Sequence, residues 1–143
     1  MKDDAKKEFQ IPSDLSEVQK VSSKVLSILK PLDLSEGVLF DIRLCFEEAL
    51  INAIKYGNNL KKSLPVRVSV AYNEEELRIS IEDQGKGFDP RKLSSCTEGE
   101  NLMKGGGRGV YLIRQLMDRA EYNTRGNRIV MVKYLKREKL NLK

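Results

Sequence analysis

Three groups of side chains have the types and spacing for chemistry. Glu48 and Asn52 stand four residues apart in Glu48-Ala49-Leu50-Ile51-Asn52-Ala53, so on a helix they share one face. Asp41, Cys45 and Lys55 fall near the same line, whereas Glu47 lies about 100° around the helix and reads as a solvated charge. A carboxylate and an amide inside a buried helix need partners, because each costs about 2–7 kcal/mol if left unpaired. An amide oxygen beside a carboxylate suits Mg²⁺, a hard cation that takes oxygen ligands and keeps several waters. The second group is Asp83-Gln84-Gly85-Lys86-Gly87, in which an acidic residue follows an apolar alternation and two glycines turn the chain. A carboxylate at a strand end can accept a hydrogen bond from an exocyclic amine such as adenine N6, and glycines let the backbone approach a flat ring. The third is Gly105-Gly106-Gly107-Arg108-Gly109, a glycine run that opens a helical pattern. Free N–H groups and the helix dipole at such a place favour phosphate.

Each group alone also has a purely structural reading. Asn52 could cap a bend while Glu48 reaches solvent, Asp-x-Gly-x-Gly could be an ordinary turn, and the glycine run could be a flexible linker. The run is neither a P-loop, since no Lys-Ser/Thr ends it, nor a dinucleotide fingerprint, since the third glycine is missing.

The elements that must carry these groups follow from periodicity. Residues 1–8 are mostly charged and are expected to form a disordered tail, with a short edge strand at Phe9–Ile11 that stops at Pro12. Ser13 reads as an N-cap for an amphipathic helix over 14–30, where Val18, Val21, Val25, Leu26 and Leu29 fall at helical spacing. A second helix over 37–56 is apolar over most of its circumference, which predicts burial, and Gly57-Asn58-Asn59 reads as its left-handed cap. Val66, Val68 and Val70 alternate with polar residues, as do Leu77, Ile79 and Ile81 across the turn at 73–75, which predicts a hairpin. Residues 84–107 have no clear period and suit a lid or binding loop. A helix over 108–118 and a second hairpin, 120–123 with 129–135, complete the order β-α-α-β-β-loop-α-β-β. That order predicts an α+β fold, a two-layer sandwich with a mostly antiparallel sheet covered on one face by helices. The expected domain spans 9–137, with a C-terminal tail at 138–143.

Composition narrows the function. The chain has 143 residues, 40% of them hydrophobic, which is one domain with one core. No apolar run approaches the roughly 18–20 residues that span a bilayer, and the charged start has no signal-peptide core. Cys45 and Cys96 lack metal-ligand spacing; they could form one disulfide, but read better as two reduced thiols in cytoplasm. A net charge of +5 could serve nucleic acid or an acidic protein, but no aromatic residues interleave with the basic ones, so direct nucleic-acid binding is not expected. The chain has no histidine, which excludes histidine acid–base chemistry, histidine metal sites and a phospho-accepting histidine on this chain.

Taken together and in order, the three groups resemble the N, G1 and G2 boxes of the ATPase superfamily that contains histidine kinases, type II topoisomerases, chaperones and mismatch-repair ATPases. Glu48-x-x-x-Asn52 matches the first, Asp83-x-Gly85-x-Gly87 the second and Gly107-x-Gly109 the third. Within it, Glu47–Ala53, Asp83–Asp89 and Gly107–Asp118 are similar to the stand-alone bacterial anti-sigma factors that are also serine kinases. The resemblance implies that ATP and Mg²⁺ are bound. Glu48 would be the general base or water-positioning carboxylate and would share Mg²⁺ with Asn52; Asp83 would recognise adenine, with Gly85 and Gly87 admitting the base. Gly107 and Gly109 would wrap the phosphates, and Arg108 and Lys104 are candidates for positive charge on the γ-phosphate. The implied partners are a sigma factor and an anti-sigma antagonist of the STAS type, and the implied assembly is a homodimer. Two departures stand out. Asn52-Ala53-Ile54-Lys55-Tyr56 is closer to the sensor histidine kinases, which makes Lys55 a phosphate-contact candidate, and Gly126-Asn127 stands where Gly-Thr is common. A nucleotide-gated binding module without strong kinase activity, and a detached histidine-kinase catalytic domain, are the competing functions.

Overall fold

The computed structural model describes residues 3–85 and 107–135, and for 107 and 108 the backbone alone. Its strands are β1 (Ala5–Pro12), β2 (Pro65–Tyr72), β3 (Glu76–Glu82), β4 (Arg119–Tyr122) and β5 (Arg128–Tyr134). Its helices are α1 (Val18–Leu29), α2 (Glu36–Asn52) and α3 (Gly107–Leu116). The strands form one antiparallel sheet in the order β1-β2-β3-β5-β4. The α+β architecture expected from the order of elements is the one found.

Register explains which face is buried. Phe9, Val68, Ile81, Ile129 and Tyr122 lie in one cross-strand row, and Val70, Ile79, Met131 and Ala120 in the next. These rows pack with Val21, Val25 and Leu29 of α1, Phe46 and Leu50 of α2, and Ile113 of α3 in one core. Burying each large aliphatic side chain contributes about 1.5–3 kcal/mol, so the period-2 strands and the apolar α2 are held by the same cluster. The intervening strand residues, such as Arg67, Ser69, Arg78 and Glu82, face the other way, where Arg67 pairs with Glu82 and Arg78 with Asp3 and Glu76.

Three boundaries differ from expectation. First, β1 begins at Ala5, because residues 5–8 pair with 69–72 rather than forming a tail; Lys6 and Glu8, which pair with each other at 3.4 Å, sit on an edge strand, where charge is tolerated. Second, Ser13 does not cap α1. It is buried and donates to the Leu64 carbonyl at 2.6 Å, while Asp14 caps a single 3₁₀ turn at Leu15–Glu17 by accepting from Ser16 N. Third, the second helix is α-helical only to Asn52 and then widens into a π-helical turn over Ala53–Gly57. The left-handed residues after it are Asn59 and Leu60, not Gly57. Most of the expected 84–107 loop, with Lys86, Gly87, Cys96 and Lys104, lies outside the described residues, as does the tail at 138–143. Among the described residues no helix is long and apolar enough to cross a membrane.

Candidate functional site

The site is assembled where α2, α3 and the end of β3 meet. Ser35 starts α2 as an N-cap, accepting from Val38 N at 3.2 Å. Ile42, Phe46, Ala49 and Leu50 then bury one side of the helix and fix its rotation. That rotation leaves Glu48 and Asn52 half-buried on the face that meets α3. Glu47 pairs with Arg43 at 2.9 Å on the outside, a surface pair worth about 0.3–0.5 kcal/mol, as its position off the stripe predicts.

Gly109 is the contact between α2 and α3. A Cβ at this position would lie 2.8 Å from Asn52 Nδ2 and 3.0 Å from Glu48 Oε2. Glu48, Asn52 and Gly109 therefore bound one small space, which a side chain at 109 would fill. Among the described residues, Asn52 Nδ2 is buried and has no hydrogen-bond partner. An orphaned amide of this kind costs about 1–3 kcal/mol, so a bound acceptor is the natural explanation for its retention. A phosphate oxygen suits the N–H, and the amide oxygen with the Glu48 carboxylate suits a hard cation. No group of three or more Cys, Asp or Glu that could hold a metal occurs among the described residues. The donor set thus fits Mg²⁺ held by one or two protein oxygens and completed by phosphates and water, the usual form of such sites.

The second half of the site is the turn after β3. Asp83 Oδ1 accepts from Gly85 N at 2.8 Å, closing a tight Asx turn. The carboxylate rests against Gly57, where any Cβ would overlap it, and Gly85 rests on the Gly57 carbonyl, where a Cβ would again overlap. Gly57 is therefore glycine for lack of space, not for a left-handed backbone. Burial raises the Asp83 carboxyl above the usual range, and the Gly85 N–H and the Arg125 guanidinium partly offset this. Arg125 donates to the Gly85 carbonyl at 3.0 Å. Burial also raises the Tyr122 phenol, with the Arg114 charge opposing and the Asp83 charge adding to the shift.

The sequence offered no partner for several residues that hold this turn, and of these only Asn127, with Gly126, stood out in it, as a departure from the resembled family. Asn58 is buried and its Oδ1 accepts from Gln84 N at 2.7 Å. Asn127 donates to the Asp83 carbonyl at 3.0 Å, and its own carbonyl accepts from Asp83 N at 2.9 Å. The departure at Asn127 is thus a brace on the Asp83 backbone. Gly126, at φ 82°, supplies the left-handed residue of that hairpin, and Asn123 Oδ1 accepts from the N–H groups of Gly126, Asn127 and Arg128. The one available signal for these residues is the run of Asn and Gly at hairpin and helix ends, which predicts turns without naming their partners.

The remaining candidates divide. Gly107 and Arg108 open α3 beside the space at Gly109. Lys55 is exposed on the π turn, with its amine 5.3 Å from the centre of the Tyr56 ring. Gly87 and Lys104 lie outside the described residues. Cys45, on the polar stripe of α2, is a buried free thiol, and burial with the Asp41 and Glu48 charges pushes it up to about 12. At roughly pH 8 almost no thiolate forms at such a value. Iodoacetamide is therefore expected to leave Cys45 unmodified in the folded protein and to label it after unfolding, as read by peptide mass mapping.

Gly57 offers a sharper test of the geometry. Gly57→Ala must displace the Asp83 carboxylate, because that short side chain is already tied to Gly85. The expected result is a stability lowered by about 1–3 kcal/mol, the usual range for overpacking, as read by denaturant unfolding.

Comparison with known proteins places this geometry. The sequence profile described as the histidine kinase-like ATPase domain matches residues 11–133. Over 142 residues the chain is 25% identical to the serine-protein kinase RsbW of Oceanobacillus iheyensis, covering 94% of this chain and 90% of that protein. It is 26% identical over 141 residues to the protein of the same name from Staphylococcus epidermidis, covering 93% of this chain and 89% of the relative. Among solved structures, one of the RsbU and RsbW domains of a Mycobacterium tuberculosis protein aligns with a TM-score of 0.58 at 14% identity, over 91% of this chain and 32% of that one. The fold is thus shared with the structure, of which this chain spans about a third.

Proposed function

The chain belongs to the histidine kinase-like ATPase family, and on that premise we propose that it is an ATP- and Mg²⁺-dependent protein-serine kinase. In this reading it also sequesters a sigma factor and phosphorylates a serine on an anti-sigma antagonist of the STAS type. The observation that carries the proposal is the convergence at Gly109, where an orphaned buried amide and a carboxylate border one space beside the start of α3. The similarity to proteins named serine-protein kinase supports the choice of serine as acceptor.

Each residue then has a task. The Asp83 carboxylate accepts from the adenine amine, and Gly85 and Gly87 leave room for the base. The N–H groups at Gly107 and Gly109 take phosphate oxygens at the helix start. Bound Mg²⁺ would neutralise charge on the phosphates, held by Asn52 and Glu48. Glu48 takes the proton of the attacking serine hydroxyl as its oxygen bonds to the γ-phosphorus and the bond to the β–γ bridging oxygen breaks, releasing ADP. Arg108, Lys104 and Lys55 supply positive charge towards the phosphates. The chain works as a homodimer in the cytoplasm.

Incubation with γ-labelled ATP, Mg²⁺ and candidate antagonist proteins tests the proposal. The expected product is acid-stable phosphoserine on the antagonist. Acid-labile label on a partner would instead indicate a histidine-kinase catalytic domain, and nucleotide-dependent partner binding without transfer would indicate a binding module.

A further inference from the structure

We propose that Asn58 and Asn127 are positioning residues that fix the turn Asp83-Gln84-Gly85 in its base-selecting form before any nucleotide arrives. The inference rests on reading Asp83 as the purine-recognition group. Asp83 lies just past the end of β3 and two residues before Gly85, a place where a backbone would ordinarily swing. Here almost every backbone group of the turn is taken. Asp83 N–H goes to the Asn127 carbonyl at 2.9 Å, the Asp83 carbonyl accepts from Asn127 Nδ2 at 3.0 Å, and Gln84 N–H goes to Asn58 Oδ1 at 2.7 Å.

Both amides are themselves held on their far sides. Asn58 Nδ2 donates to Ser13 Oγ at 2.9 Å, to the Leu64 carbonyl at 3.2 Å and to the Pro65 carbonyl at 3.1 Å. Asn127 Oδ1 accepts from Asn123 Nδ2 at 2.9 Å. Asn58 thus ties the turn to the β1 and β2 ends, and Asn127 ties it to the β4–β5 hairpin. Buried amides satisfied on all sides orient rigidly, so the Asp83 carboxylate meets the base without a reorganisation cost. Two buried asparagines thus hold three residues, the last of them the glycine Gly85, and selectivity is the property this arrangement serves.

The test compares affinities for ATP, GTP and inorganic tripolyphosphate, each with Mg²⁺, in the full chain and in Asn58→Ala and Asn127→Ala. The wild type is expected to prefer ATP over GTP. Each folded variant is expected to lose about tenfold of that preference, the effect of roughly one hydrogen bond, with tripolyphosphate affinity unchanged. A merely structural role would weaken all three ligands alike or none. A preference that survives in both folded variants overturns the inference while leaving the ATP site intact. A wild type with no preference overturns the reading of Asp83 and the inference with it. Amide hydrogen exchange on the nucleotide-free wild type needs no variant to fold: the Asp83 and Gln84 amides are expected to be protected, and free exchange at both overturns the preformed turn.

Discussion

Glu48→Gln is expected to lower serine phosphorylation by about 10²–10⁴-fold, the range for losing a general base. Glutamine keeps the shape of the side chain beside Gly109, where Glu48 Oε2 lies 3.0 Å from the position a Cβ would take. It cannot take the proton from the serine hydroxyl. Because Glu48 is also proposed to share Mg²⁺ with Asn52, and glutamine still offers the cation an amide oxygen, Mg·ATP affinity is expected to fall far less than transfer does. Single-turnover transfer with calorimetric ATP binding separates the two effects. A fall confined to transfer supports the base role. A matching fall in Mg²⁺-dependent affinity would mean that the carboxylate acts through the metal, and an unchanged transfer rate would remove Glu48 from the chemistry.

Asn52→Ala is expected to abolish Mg²⁺-dependent ATP binding and to lower turnover by about 10²-fold or more, while the folded chain becomes no less stable. The two halves of this prediction share one cause. Asn52 Nδ2 is buried without a partner among the described residues, so deleting the amide removes an unsatisfied group whose burial costs about 1–3 kcal/mol. Alanine also has the higher helix propensity at the last residue of α2. Opposed changes in function and stability mark a residue kept for a ligand. Thermal unfolding of the free proteins, beside titration with Mg·ATP, reads both. A large loss of stability together with retained binding would assign Asn52 to the core.

The architecture was legible because its strands alternate cleanly. Val68 and Val70 face Ile81 and Ile79 across one hairpin, and the chain has few ways to bury them other than on one sheet face. The start of β1 was not legible, since Lys6 and Glu8 look like a solvated tail until β2 supplies their hydrogen bonds. Ser13 failed as a cap for the same kind of reason: the Leu64 carbonyl, 51 residues away, took its hydroxyl.

The site shows the same division. Glu48, Asn52 and Asp83 could be read from type and spacing, because a carboxylate or amide in an apolar setting is conspicuous in sequence. Their convergence on Gly109 could not, because it depends on how α2 and α3 pack. Gly57 was visible as a turn residue, yet its true constraint is the Asp83 carboxylate lying against it. Asn58 was visible only as a residue of a helix end and Asn127 as a hairpin residue that departs from the usual Gly-Thr, and their partners belong to the tertiary structure.

In the proposed function one site, made from the end of α2, the turn after β3 and the start of α3, holds Mg·ATP. Titrating Mg·ATP into ¹⁵N-labelled protein tests it most directly, since the Asn52 side-chain amide and the Asp83, Gly85 and Gly109 backbone amides each give a separate signal. All four are expected to shift together with one saturation curve. Saturation that leaves the Asn52 and Gly109 signals unmoved, or shifts confined to other parts of the sheet, would contradict it.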